Sequence, residues 1–301
     1  MIIPAFNAAA TIDEALASVA EQTVTAAEVV VCDDRSGDGT AGVARAWADR
    51  LPLRVIELAD NVGAAGARAH AIAATTSARL ALLDADDVWF PDHLATMGAL
   101  HQGDDTLVTA DPECWVPGED IATRWSSQFR VPAGDGLRAL YRANYIHSST
   151  LFSRTLHDRA GGFREPIRFV EDWDLWLRML RAGARVVMAG HPTLRYRIRA
   201  PGDGAFANRL LVLAWAAQEA VSPSERRAAR AATTHVRAEQ HLFEAYGVAE
   251  ADPWRARWLG AAATRGQRRV ALRGAAMVVA PRWVTARRRD AHRDPRAWLR
   301  G

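Results

Sequence analysis

Residues 80 to 93 read LALLDADDVWFPDH, four apolar residues followed at once by Asp84, Asp86 and Asp87. A short apolar run bounded by turn residues reads as a buried strand, and Asp suits the turn that follows because its side chain bonds the backbone two residues on. Carboxylates this close repel one another and raise one another's pKa unless a cation sits between them. Two of them on one loop suit a hard divalent cation, which takes oxygen ligands and, for Mg²⁺, completes its shell with the phosphates of a substrate. A solvated turn and a cation site are both open at this point.

Around this stretch, short β-prone runs alternate with helical patterns: IIPAF, TIDEALASVAEQ, EVVVCDD, TAGVARAWADR, LRVIEL, AAGARAHAIAATT and RLALLD. Such alternation predicts an α/β fold with a mostly parallel sheet and flanking helices, and strands apolar throughout fit a sheet covered on both faces. Ligands of such sheets gather outside the carboxyl ends of the strands. Asn7 follows the first strand, Asp33 and Asp34 end the second, Asn61 and Gly63 follow the third, and Asp84 to Asp87 follow the fourth. Four strand ends thus bring polar residues to one rim.

Farther along, GDGLRALYRAN reads as a helix, SSTLFSR as a strand, EDWDLWLRMLRAG as an amphipathic helix ending at Gly183, and ARVVMAG and TLRYRIR as two strands extending the sheet. From 205 the pattern is helical, with breaks at Pro223, Pro253, Pro281 and Pro295. The predicted organisation is one domain over 1–204, with halves 1–110 and 111–204, followed by a basic helical region over 205–301.

The 301 residues, 49% of them hydrophobic, can bury one sizeable core and a second, smaller one. Cys32 and Cys114 lack the spacing of a zinc site or a disulfide framework, which fits a reducing cytoplasm. No apolar run approaches the ~20 residues that span a bilayer, and no signal-peptide pattern opens the chain. Met1 falls inside the first predicted strand, so further residues are expected ahead of it. The net charge of +3 hides an asymmetry: residues 221–301 carry 17 Arg against 7 acids, a net +10, while residues 1–220 carry 21 against 28, a net −7.

Five blocks, in order from Met1 to about residue 200, resemble family 2 of the nucleotide-sugar glycosyltransferases: IIPAFNAAATIDEALASVAEQT, VVVCDDRSGDGT, NVGAAGARAHAIA, LLDADD and GGFREPIRFVEDWDLWLRML. The resemblance implies the GT-A fold, a Rossmann-like α/β architecture. It also implies inverting, metal-dependent transfer of a sugar from a nucleoside-diphosphate sugar to the hydroxyl of a glycan, lipid-linked or small-molecule acceptor, in envelope polysaccharide or glycoconjugate synthesis. Three positions depart from the family's pattern: Arg35 stands where Gly is usual, Ala69 where Asn is usual, and Arg199 where a His commonly approaches the metal.

By this resemblance Pro4, Phe6 and Asp34 hold the nucleotide base, Phe6 by stacking and Asp34 by accepting a base N–H. Core packing is the other reading of Phe6, and Asp33 could cap its loop through Ser36 and Thr40. Arg68 would pair with a phosphate or with one of the aspartates, or else lie on a solvated helix face. Asp84 would face the ribose and the metal, and Asp86 would ligate Mg²⁺ or Mn²⁺, with Asp87 supporting the loop. Asp172 matches the family's general base, with Glu171 as its neighbour, although acids are favoured at a helix N-terminus in any case. Of Trp173 and Trp176 one could face a sugar ring. His147 could line the acceptor side or be an ordinary core residue. A guanidinium cannot ligate a cation, so Arg199 implies either one metal ligand fewer or a direct contact with the diphosphate.

A sugar-phosphate nucleotidyltransferase is an alternative, but PAFNAAAT lacks the Gly-rich basic loop expected after the first strand; an inactive nucleotide-sugar-binding relative is another. Nucleic acid is not an expected partner, since a basic stretch without a reading module is weak support for one. In RGQRRVALRGAAMVVAPRWVTARRR, residues 265–289, arginine clusters alternate with Val270, Leu272, Met277, Val278, Val279 and Trp283. A basic amphipathic stretch of this kind can lie on an anionic membrane face, each nearby Arg adding about 1 kcal/mol, or it can pack on the acidic body. Binding to the membrane predicts that the full chain sediments with anionic liposomes at low salt and that removal of 265–301 abolishes this while donor binding persists. Full-length protein left in the supernatant would assign the stretch to the fold.

Overall fold

The structure, a computed structural model, describes residues 1–115, 123–124, 134–197 and 205–248. Strands β1 (Ile2–Ala5), β2 (Val29–Asp33) and β3 (Leu53–Glu57) pair in parallel in the order β3-β2-β1, connected by helices α1 (Ile12–Ala20) and α2 (Thr40–Arg45). Every residue of β1 and β2 is buried, as expected of apolar runs, and Asp33, which closes β2, is buried with them. Helix α3 (Gly63–Ala73) leads on to β4 (Arg79–Ala81). A parallel bridge between Ile2 and Leu82, with the Leu83 N–H donating to the Ile2 carbonyl at 3.1 Å, joins this strand to the edge of β1.

Beyond β4 the order continues through β8 (Thr150–Ser153), β6 (Thr106–Trp115), β9 (Arg185–Arg197) and β5 (Val88–Trp89), with the short β7 (Thr123–Arg124) paired to β6. Here the sheet is mixed: β6 and β9 run parallel, β8 runs antiparallel to β4 and β6, and β5 antiparallel to β9. Helices α4 (His93–Leu100), α5 (Gly136–Arg142), α6 (Arg154–Arg159) and α7 (Glu171–Arg181) complete this part. The core gathers Ile3, Leu16, Val31, Leu83, Val108 and Leu194 from both halves of the sheet.

One expectation needs correction. The two strands read at ARVVMAG and TLRYRIR are one strand, β9, because the register irregularity near Asp111 absorbs Pro192, a residue tolerated in sheets at such bulges. The break read at Pro223 is present: one helix ends at Gln218 and Pro223 starts the next. It occupies the first position of α9 (Pro223–Val248), whose entry is tied down by Ser222 Oγ accepting from the Glu225 N–H at 3.1 Å and Glu225 accepting from the Val221 N–H at 2.9 Å. The remaining proline positions, Arg199 and residues 265–289 lie outside the described residues.

The chain divides into two compact units, Met1–Pro201 and Gly202–Gly301. Within the second, α9 packs on α8 (Ala205–Gln218), with Arg209 paired to Glu239 at 2.7 Å and Phe206 near Phe243. No helix among the described residues is long and apolar enough to cross a membrane.

The turns at the carboxyl rim are tightly specified. Arg35 has φ 63, in the left-handed region where glycine is at no disadvantage, which gives a physical reason for the Gly usual there in the family it resembles. The Asp34 carboxylate accepts from the Val62 and Gly63 N–H groups at 2.7 and 2.8 Å, satisfying orphan donors at the start of α3. One turn into that helix, a Cβ on Gly66 would lie 2.5 Å from Cγ2 and 2.8 Å from Cβ of Val62. Gly66→Ala is therefore expected to displace Val62 and to destabilise the protein by about 1–3 kcal/mol, the usual cost of overpacking. A urea midpoint equal to that of the parent would show that α3 yields without cost.

Candidate active site

A cleft of about 690 Å³ opens at this rim. One wall carries Pro4, Phe6 and Asp34 from the ends of β1 and β2, with Arg68 from α3 and Asp84 and Asp86 from the loop after β4. The rest of the lining comes from Asn144, Ile146, His147 and Ser148 and from Arg168 to Asp172 at the start of α7. Phe6, one residue past the end of β1, is 53% exposed and is not a core residue.

Arg68 ties the walls together. Its guanidinium is buried, donating to Asp84 Oδ1 at 2.5 Å and to Glu171 Oε1 on the far side. It is neither on a solvated face nor free for a phosphate alone; it serves the aspartate loop and α7 at once. Burial alone would lower its pKa, but Asp84 and Glu171 raise it above the ordinary value. Breaking a buried pair of this kind typically costs about 3–5 kcal/mol because the remaining charge is stranded.

The repulsion anticipated among the aspartates is real but unequal. Burial would raise the Asp84 carboxyl, yet Arg68 and the Ser148 hydroxyl, donating to Oδ2 at 2.8 Å, hold it below the ordinary carboxylate range. The cost falls on Asp87. Fully buried, with Asp84 and Asp86 beside it, its carboxyl is pushed well above the ordinary range. Asp87 Oδ1 accepts from the Arg197 N–H at 3.0 Å, so it anchors the loop to β9, while its buried Oδ2 has no hydrogen-bond partner. Burial and the same aspartates also raise the Tyr196 phenol, on the cleft wall.

Asp84 and Asp86 present hard carboxylate oxygens to the cleft, the donor chemistry that a divalent cation takes. Asp84 and Asp86 are the residues that would hold it. Among the described residues no group of three or more His, Cys, Asp or Glu is arranged to hold a metal ion, so an ion here would complete its shell from its ligand's phosphates and water.

Val170 precedes α7 with φ 57, a left-handed conformation rare for a β-branched residue, and after it Glu171 and Asp172 both line the cleft, Glu171 paired with Arg68. Asp172 Oδ1 accepts from the Trp173 N–H at 2.7 Å and Oδ2 from Asn144 Nδ2 at 3.3 Å. Burial and the neighbouring Glu171 push its carboxyl up to about 7, against the lowering effect of Arg68. Asp174 plays a different part, buried and held by Arg178 at 2.6 Å.

The structure brings Pro4, Phe6, Asp34, Arg68, Asp84, Asp86 and Asp172 to one cleft. His147 also lines it, buried edge-on to Tyr196, with burial dropping its pKa to about 4. Neither tryptophan faces the cleft: Trp173 donates to the Leu140 carbonyl, and Trp176 packs on Phe152. Asp33 holds Ser36 as expected, but Thr40 bonds Asp38 instead, which is the nearer carboxylate. Asn144, Ser148 and Arg168 escaped the sequence reading. Only Arg168, in REPIRFVEDWD, stood within a motif that could have flagged it.

A mixed sheet with an acid-lined cleft at its carboxyl rim defines an α/β protein with a candidate ligand site, and comparison with known proteins gives its family. Residues 1–161 match Glycosyl transferase family 2, and the chain belongs to that family. The succinoglycan biosynthesis protein ExoU of Rhizobium meliloti (strain 1021) is 37% identical over 200 residues, covering 62% of this chain and 57% of that protein. The chain thus spans less than two thirds of that relative's length. Among solved structures, S. aureus TarS 1-349 in complex with UDP-GlcNAc superposes with a TM-score of 0.64 at 18% identity, over 96% of this chain and 91% of that one. The mannosyltransferase PcManGT of Pyrobaculum calidifontis, in complex with GDP-Man and Mn²⁺, gives 0.61 at 23% identity, over 93% and 79%. At these identities the likeness establishes the GT-A fold.

The raised Asp172 carboxyl has a consequence for stability. Its ordinary value is 3.8 and its folded value about 7, so between these the folded chain holds a proton that the unfolded chain releases. The associated stability is fully present below the lower value and is lost as pH rises through the upper one. Asp172→Asn, which cannot ionise, should therefore gain stability relative to the parent as pH is raised through this window. Urea midpoints whose difference stays constant with pH would refute it.

Proposed function

We propose that this chain transfers a sugar, with inversion, from a nucleoside-diphosphate sugar to the hydroxyl of a growing glycan or lipid-linked acceptor. The observation that carries this reading is that Asp172, Asp84 and Asp86 line one cleft, with Arg68 joining Asp84 to Glu171 beside Asp172. Inversion needs a base on the face of the sugar opposite the leaving group, and that is the role proposed for Asp172. A general base works best with a pKa near the working pH. Asp172, at about 7, meets this condition and is oriented by Asn144 and the Trp173 N–H.

On the donor side, Phe6 offers its exposed ring for stacking beside Asp34, and Pro4 backs that end of the cleft. Asp84 and Asp86 would hold Mg²⁺ or Mn²⁺, which when bound supplies Lewis-acid stabilisation of the departing diphosphate. Arg68 keeps Asp84 ionised and ready for such a role. Arg199 is assigned to the diphosphate, and residues 265–289 to peripheral contact with the inner membrane face, where a lipid-linked acceptor would be met. The naming of ExoU for succinoglycan biosynthesis and the UDP-GlcNAc and GDP-Man complexes of the structural neighbours support a polysaccharide product and a nucleotide-sugar donor.

The test is a screen of nucleotide sugars for binding and slow hydrolysis, with and without Mg²⁺ or Mn²⁺, followed by variants. Asp86→Ala and excess EDTA should each remove activity. Asp172→Asn should keep donor affinity while turnover drops by roughly 10² or more, and the parent's rate should rise with pH through about 7 as the base ionises. Full activity in EDTA would remove the metal from the mechanism, and near-normal turnover of Asp172→Asn on a true acceptor would move the base elsewhere.

A further inference from the structure

Resting on that reading of the cleft, we propose that Arg168, with Asn61, is the residue pair that selects the nucleotide base, and that it selects bases bearing a ring carbonyl, such as uracil, thymine and guanine. Arg168 belongs by sequence to the acceptor-side segment, yet its side chain reaches across the mouth of the cleft. It donates to Asn61 Oδ1 at 2.7 Å and to the Asn61 carbonyl at 3.2 Å. Its Cγ lies where a Cβ on Gly63 would meet it at 3.5 Å, so the aliphatic stem rests on the glycine whose N–H bonds Asp34. Asn61 in turn donates through Nδ2 to the Asp34 main-chain carbonyl at 3.1 Å. The exposed guanidinium therefore sits at the Phe6–Asp34 end of the cleft, where the base is assigned.

Asp34 is poorly placed to select a base unaided. Each of its carboxylate oxygens already accepts a backbone N–H from Val62 or Gly63, so its geometry is set by the start of α3. It can accept from a base, but every common base offers an N–H or NH₂ group. A planar guanidinium supplies the complementary information, since its parallel N–H donors seek acceptor oxygens and nitrogens. The partners it holds at Asn61 are neutral amide oxygens of the same chemical kind as a base carbonyl. A bound keto base can therefore exchange for one of them like for like, whereas adenine offers only ring nitrogens, each with a single lone pair, and satisfies the fork less well.

The test uses nucleoside diphosphates without sugar, so that turnover does not enter. UDP, dTDP, GDP and ADP would be titrated calorimetrically into the full chain and into Arg168→Ala and Arg168→Lys, with thermal melts confirming that each is folded. The parent should prefer one keto-base diphosphate over ADP by about tenfold or more, the scale of a two-pronged guanidinium contact to a base. Arg168→Ala should erase most of that preference by weakening the keto-base ligand and leaving ADP nearly unchanged. Arg168→Lys, which keeps the charge but not the fork, should also lose the preference. Equal weakening of all four ligands would make Arg168 a phosphate or structural contact and overturn the proposal, as would unchanged affinities. Absence of binding by the parent to every diphosphate would instead overturn the reading of the cleft itself.

Discussion

A single buried guanidinium holds the site together. Arg68 on α3 has carboxylates on two sides, Asp84 from the loop after β4 and Glu171 from the start of α7, and these segments come from opposite halves of the domain. A charge in the interior is tolerated only when paired and hydrogen-bonded, so the fold cannot bury Arg68 without also bringing these two segments to it. Arg68 thereby holds Asp84 ionised and joins the aspartate loop to the start of α7, next to Asp172.

The same arrangement distributes charge unevenly among neighbouring acids. Asp84 is paired and kept ionised, Asp87 is buried and pushed up, and Asp172 is pushed up to about 7. Groups with similar intrinsic chemistry thus acquire three different roles through burial and partners: pole of an ion pair, anchor of a loop, and candidate base. Asp86 and Asp172 both line the cleft. Val170 turns through the left-handed region immediately before Glu171, and of the two consecutive acids that follow, both lining the cleft, Glu171 pairs with Arg68.

The five motif blocks made the family and the α/β architecture legible, because apolar strands and the residues that end them recur at short sequence distance. The residues at the strand ends, Phe6, Asp34 and Asp84, could be placed on one rim by the parallel-sheet rule alone. What periodicity could not separate was core from cleft among side chains of one type. Trp173 and Trp176 went into the core, Phe6 into the cleft, and the proline-containing β9 stayed a single strand because its partner β6 absorbs the irregularity.

Sequence alone therefore determined the alternating strands and helices up to β4, which acids stand at strand ends, and which family the blocks resemble, since all of these depend on neighbours within a few residues. Tertiary structure decided the partnerships. Arg68 and Glu171 are 103 positions apart, Arg168 and Asn61 107, and Ser148 and Asp84 64, and no local pattern encodes such pairs. They arise because a buried or half-buried charge takes whatever opposite charge or dipole the packed sheet brings within hydrogen-bond reach, and that choice is made only when the two halves of the domain meet.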